Sequence, residues 1–104
     1  IDIANKIWTP VFATGDGIVS FVGAKRDFGT VIEINHSGSG YETLYAHLHQ
    51  TAVVEGHPVK RGELIGYLGN SGRSTGPHLH YEVKKMGRNV NPMNFILPVE
   101  TVVN

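Results

Sequence analysis

The chain has 104 residues, with nine basic and nine acidic side chains that cancel in formal charge, six histidines and no cysteine. That length fits one domain burying roughly 60 to 65% of its unfolded surface without staples. The missing cysteine excludes disulfides and thiolate metal sites, leaving His, Asp and Glu as the available metal ligands. No basic cluster exceeds Lys60-Arg61 or Lys84-Lys85, and no apolar run approaches ~20 residues, so neither nucleic-acid binding nor a transmembrane segment is expected.

The first residue is Ile1, with no methionine and no signal peptide, which suggests a piece of a longer precursor. Ile1-Asp2-Ile3-Ala4 is a short extended segment with Asp2 pointing away from its apolar neighbours. Trp8 to Ala13 leads through the turn Thr14-Gly15-Asp16-Gly17 into a strand over Ile18 to Val22. After the polar turn Lys25-Arg26-Asp27, Phe28 to Asn35 is a strand with Ile32 and Ile34 on one face, and His36 to Gly40 makes a hairpin connection.

Tyr41 to His49 alternates: Leu44, Ala46 and Leu48 mark a core face, and Thr43, Tyr45, His47 and His49 a polar, aromatic one. Val53 to Gly56 is expected to be a further strand, followed by a turn over His57 to Gly62 and a short strand over Leu64 to Leu68. Asn91 to Ile96 reads as one helical turn capped by Asn91 with Pro92 in first position, and the tail from Pro98 as a strand or loose end. A weak echo links Pro10-Val11, Gly15 and Ile18 with Pro58-Val59, Gly62 and Ile65.

The chemistry concentrates between Gly69 and Glu82. Glycines at 69, 72 and 76 and Pro77 make the first part a constrained loop. His78 to Lys84 then alternates, with Leu79, Tyr81 and Val83 on one side and His78, His80, Glu82 and Lys84 on the other. The two histidines share a face with Cα atoms ~6.6 Å apart, so one imidazole can hold a metal while the other reaches a water or substrate beside it. The bland alternative is a surface strand with two solvated histidines; the rigid loop before it favours a pre-organised site.

The strand Tyr41 to His49 resembles that pattern, and histidines of both strands could line one cleft, but spacing does not choose between His47 and His49. Asp2 reads by itself as a solvated terminal carboxylate, His36 and His57 as exposed turn residues, and Tyr45 and Tyr81 as packing groups, with Tyr45 placed beside His47. Asn70, Ser74 and Thr75 are expected to fix the loop through backbone hydrogen bonds. No G-x-S-x-G elbow is present to activate a serine.

The motifs Gly72-Arg73-Ser74-Thr75-Gly76-Pro77-His78-Leu79-His80-Tyr81-Glu82, Tyr45-Ala46-His47-Leu48, Gly17-Ile18-Val19 and Ile1-Asp2-Ile3-Ala4 together resemble the lysostaphin-type, M23 or LytM-like, zinc peptidases that cut peptide cross-links of bacterial peptidoglycan. The resemblance covers nearly the whole chain, so 1–104 is expected to be a single LytM-like domain. It implies an all-β fold, an antiparallel sheet or sandwich of the duplicated hybrid motif type, and a periplasmic or extracellular location at the cell envelope. It also implies roles: Asp2 and His80 as zinc ligands, His47 and His78 as the groups acting on water and the reacting carbonyl, and peptidoglycan peptide stems as the substrate.

The family pattern departs here in one respect. Its first zinc ligand is a histidine four residues ahead of the aspartate, which would fall upstream of Ile1, so the upstream part of the precursor is expected to supply the third ligand. Two rival classes resemble parts of this pattern: a non-catalytic LytM-like module that activates other wall hydrolases, and a sugar-transport phosphocarrier domain with two histidines on neighbouring strands. Overall likeness to Gram-negative envelope endopeptidases points to direct D-alanyl cross-links rather than glycine bridges.

Overall fold

A computed structural model describes residues 2–36, 38–72 and 76–92. Among the described residues nine strands form in order: β1 (Asp2–Ala4), β2 (Pro10–Phe12), β3 (Gly17–Lys25), β4 (Gly29–His36), β5 (Tyr41–Thr51), β6 (Pro58–Val59), β7 (Leu64–Leu68), β8 (His78–Lys85) and β9 (Arg88–Val90). The all-β expectation holds, and among the described residues there is no α-helix. The period-2 stretches became the long strands because one side chain in two could be buried, most plainly in β8, where Leu79, Tyr81 and Val83 are buried and the residues between them are not.

All pairings are antiparallel, and the main path runs β1-β8-β5-β4-β3-β6, with β2 against β7, β7 against β5 and β9 against β8. The far end of β5 leaves β8 and pairs with β7, so this one strand carries the chain from the main ladder into the β2–β7 pair. The core lies between these two parts: Tyr45, Tyr81, Ile32, Ile34, Leu48, Ile65, Leu68 and Leu79 are its largest fully buried side chains. A smaller cluster of Val31, Leu44 and Ala46, flanked by Phe21 and Phe28, sits on the opposite face.

Two local expectations are overturned. Val53 to Gly56 is not a strand; Val54 to His57 is a turn closed by the His57 N–H to Val54 O bond at 3.1 Å, with Gly56 at φ +86°. The single face proposed for Leu44, Ala46 and Leu48 is also broken. Leu48 packs with Tyr45 in the main core, and Leu44 and Ala46 lie on the other side.

The cause is a bulge in β5. Ile32 pairs with Tyr45 and Thr30 with Leu48, so two steps on β4 face three on β5, and the extra residue is taken up where His47 adopts φ +61°. A bulge of this kind exchanges the faces of everything beyond it. The strand β9 follows the Met86-Gly87 turn, both residues at positive φ. Of the expected helical turn, Met93 to Ile96 lie outside the described residues, as do the tail from Pro98 and the loop residues Arg73, Ser74 and Thr75.

Candidate active site

The pairing of β1 with β8 sets Asp2 opposite His80 and Ala4 opposite His78, which joins two ends of the chain 78 residues apart. Asp2 Oδ1 accepts a hydrogen bond from His80 Nδ1 at 2.7 Å and lies 3.7 Å from His78 Nε2. The bond from His80 holds the Asp2 carboxyl below its usual range, against the opposing effect of partial burial. The second nitrogen of His80 lies 2.8 Å from Glu82 Oε2. The ring is further covered by Phe28, stacked at 5.5 Å between centroids.

His47 reaches this face because of the bulge. In an unbroken strand it would follow Tyr45 into the core; displaced by one residue, its ring sits 4.7 Å from that of His78 and 6.1 Å from that of His80. Its backbone N–H, freed from the ladder, donates to Phe28 O at 2.8 Å. The ring is nearly buried, 5% exposed. Asp2, His47, His78 and His80 thus converge, whereas His49 is exposed and its ring meets Trp8 at 4.2 Å.

Both outer histidines are held in one tautomer. His47 Nδ1 is 2.6 Å from Ser71 O and His78 Nδ1 is 2.8 Å from Gly76 O. A carbonyl oxygen only accepts, so each Nδ1 carries the proton and each neutral ring keeps its lone pair on Nε2.

Ser71 was not visible in the sequence as a site residue. Its hydroxyl donates to Leu48 O at 2.7 Å and accepts from Thr30 N–H at 3.1 Å, bonding two backbone groups beside the bulge. The loop comes this close because Gly29 and Gly72 meet backbone to backbone, both at positive φ; a Cβ on either would overlap the other strand. Glu82 was likewise missed as an orienting group for His80. Asn70 lies exposed at the loop's start.

The remaining titratable residues lie elsewhere. Tyr45 does not share a face with His47, contrary to the sequence reading: it is fully buried in the core, its hydroxyl 2.9 Å from Thr14 Oγ1 and 3.0 Å from Thr43 Oγ1. Tyr81 bonds the same Thr14 hydroxyl at 2.9 Å. His36, expected to be an exposed turn residue, instead ends β4 half-buried, between Asp16 O at 2.7 Å and Thr43 Oγ1 at 2.8 Å. His57 pairs with Glu63 at 2.9 Å.

The profile of Peptidase family M23 matches residues 1–92. The chain belongs to peptidase family M23. Among curated relatives, this M23 chain is 49% identical over 98 residues to the DD-carboxypeptidase/endopeptidase Mpg of Neisseria meningitidis serogroup B, a match covering 94% of the chain and 22% of that protein. It superposes on the solved structure of LytU with a TM-score of 0.91 at 33% identity, covering 100% of this chain and 78% of that one. It superposes on a zinc-containing peptidase from Vibrio cholerae with a TM-score of 0.85 at 44% identity, covering 93% and 30%. The M23 chain therefore spans less than a quarter of the Neisseria relative it matches.

The residues present suit zinc chemically, as a carboxylate and an imidazole nitrogen facing each other. Two ligands of a tetrahedral zinc lie roughly 3.3 Å apart, and the Asp2–His80 pair sits slightly inside that spacing. Among the described residues no three His, Cys, Asp or Glu side chains converge as a complete ligand set.

Proposed function

We propose that this M23 chain is the catalytic part of a zinc endopeptidase that hydrolyses direct D-alanyl cross-links between peptide stems of bacterial peptidoglycan, at the cell envelope. The observation that carries the reading is the convergence of Asp2, His47, His78 and His80 on one face, in a chain whose Neisseria relative is named a DD-carboxypeptidase/endopeptidase.

Asp2 and His80 would hold the metal, through Oδ1 and Nδ1, and a third donor would come from the precursor segment ahead of Ile1. Zinc, when bound, supplies Lewis acidity toward water and the scissile carbonyl. With Nδ1 given to the metal, His80 donates Nε2–H to Glu82, which fixes the ring's tautomer and plane. His47 and His78 present Nε2 lone pairs, one to take the proton of the attacking water and one, once protonated, to stabilise the oxyanion or deliver a proton to the leaving amine. Phe28 keeps water from the outer side of His80.

Metal analysis of the full-length precursor, with cleavage of purified cross-linked muropeptides, tests this. One zinc per molecule is expected, lost in His80→Ala with the fold retained. Stoichiometric zinc in His80→Ala would overturn the ligand assignment, and absence of cleavage by the zinc-loaded protein would overturn the activity.

A further inference from the structure

The Pro-Val pair of the weak sequence echo is preceded in both copies by the same turn, and that turn singles out Trp8. Lys6 to Thr9 and Val54 to His57 are the same turn: Thr9 N–H bonds Lys6 O at 3.1 Å, and His57 N–H bonds Val54 O at 3.1 Å. In each, the third residue donates to a neighbouring strand and the fourth accepts back from the same residue: Trp8 N–H to Leu68 O and Leu68 N–H to Thr9 O, and Gly56 N–H to Val19 O and Val19 N–H to His57 O. Each turn runs into Pro-Val, opening β2 and β6.

The third position stands at φ +86° in Gly56 and +76° in Trp8. Turns of this shape demand glycine there, and a bulky side chain costs of order 1–3 kcal/mol. At the first copy the chain instead carries its only tryptophan. The strain is not recovered by burial, since Trp8 is 52% exposed. Its ring is nonetheless fixed, edge-on to His49 at 4.2 Å and Tyr67 at 5.4 Å.

The platform adjoins the catalytic histidines. His49 follows His47 by two residues across the bulge, at most ~7 Å of chain. Gly69, next after β7, packs against His49 so closely that a Cβ there would overlap it, and pairs with His78.

We propose that Trp8, framed by His49 and Tyr67, is a binding platform for the apolar face of an amino-sugar ring of the glycan strand that carries the peptide being cut. This rests on the peptidoglycan reading above. The peptide stems of that substrate offer no comparably broad, rigid apolar ring, whereas a pyranose does, and aromatic faces take such surfaces by close contact. The turn itself, Lys-Ile-Trp-Thr, carries a cation and no carboxylate, which disfavours a cationic ligand. Reach is compatible: four extended stem residues span at most ~14 Å, and Trp8 touches His49, two residues along the chain from His47.

Because Trp8 is the sole tryptophan, its fluorescence reports on the site in the 104-residue chain. Titration with tetra-N-acetylchitotetraose should give a saturable change, and a sugar-free stem pentapeptide should give none. Trp8→Gly relaxes the turn, so its melting temperature should equal or exceed that of the parent. In the zinc-loaded full-length protein it should raise KM on the order of tenfold for cross-linked glycan chains, with kcat nearly kept, and leave a sugar-free cross-linked peptide dimer unaffected.

A flat fluorescence titration, or equal effects of Trp8→Gly on both substrates, would overturn the platform. Cleavage of neither substrate by the parent protein would instead overturn the peptidase reading, leaving the fluorescence titration to decide the platform.

Discussion

Replacing Ser71 by alanine separates the loop's structural work from the catalytic chemistry. The hydroxyl makes two hydrogen bonds, to Leu48 O at 2.7 Å and from Thr30 N–H at 3.1 Å, both to backbone atoms at the bulge. A single such bond contributes ~0.5–1.5 kcal/mol net, and leaving partly buried partners unmet adds to the loss, so Ser71→Ala should cost about 1–3 kcal/mol. For a domain near 100 residues, 1 kcal/mol moves the melting temperature by ~4 °C or more, so a fall of about 4–12 °C is expected.

The catalytic effect follows through the carbonyl of the same residue, which holds His47 Nδ1 at 2.6 Å. Once the loop loosens, the ring loses its fixed tautomer and place, and kcat for muropeptide cleavage should drop on the order of ten- to a hundredfold with KM little changed. Thermal unfolding by circular dichroism and chromatographic muropeptide release read the two effects. Ser20→Ala, which removes a lone exposed bond to Glu33 O at 3.2 Å, is the control and should change stability by less than ~0.5 kcal/mol. An unchanged melting temperature together with unchanged kcat in Ser71→Ala would refute the assignment of Ser71 as the residue that positions His47.

His47→Ala should lower kcat on the order of 10²- to 10⁴-fold with zinc retained, whereas His49→Ala should leave kcat for a sugar-free cross-linked dimer unchanged; equal losses would overturn the argument from the bulge. Burial pushes the phenols of Tyr45 and Tyr81 above their ordinary value of 10.0, so both stay neutral in the folded chain where they would ionise unfolded. Their contribution is whole below pH ~10 and is lost as the pH rises beyond it. Tyr45→Phe should cost about 1–3 kcal/mol at neutral pH, by leaving the Thr14 backbone N–H without its acceptor and removing one of the two bonds of the Thr14 and Thr43 hydroxyls, and should flatten the alkaline fall in denaturant midpoint; an equally steep fall would show that Tyr45 is not one of the groups responsible. Gly72→Ala sets a Cβ into the backbone of Phe28 and Gly29 at φ +74°, and should destabilise by at least ~2 kcal/mol and disable the site together; a melting temperature within 2 °C of the parent would count against the close approach.

The alternation of β8 was legible because period-2 burial is a local property: each residue's face follows from its neighbour's, and His78 and His80 had to share one. The same local rule failed in β5. A bulge adds one residue without altering composition, and the φ of +61° at His47 is held by Phe28 O and by the Ser71 loop, neither of which neighbours it in sequence. Tyr45, a packing group as its sequence suggests, therefore does not share the face of His47 that plain alternation gives it.

Asp2, by itself a terminal carboxylate, acquires meaning only when β1 pairs with β8 and sets it against His80, 78 residues away. Motif resemblance had anticipated that pair, but its geometry is a product of register. Trp8 shows the same division. The sequence displayed a lone tryptophan two residues before a proline, and only the backbone disclosed that it occupies a place made for glycine, because positive φ is imposed by the turn and by the strands that bracket it.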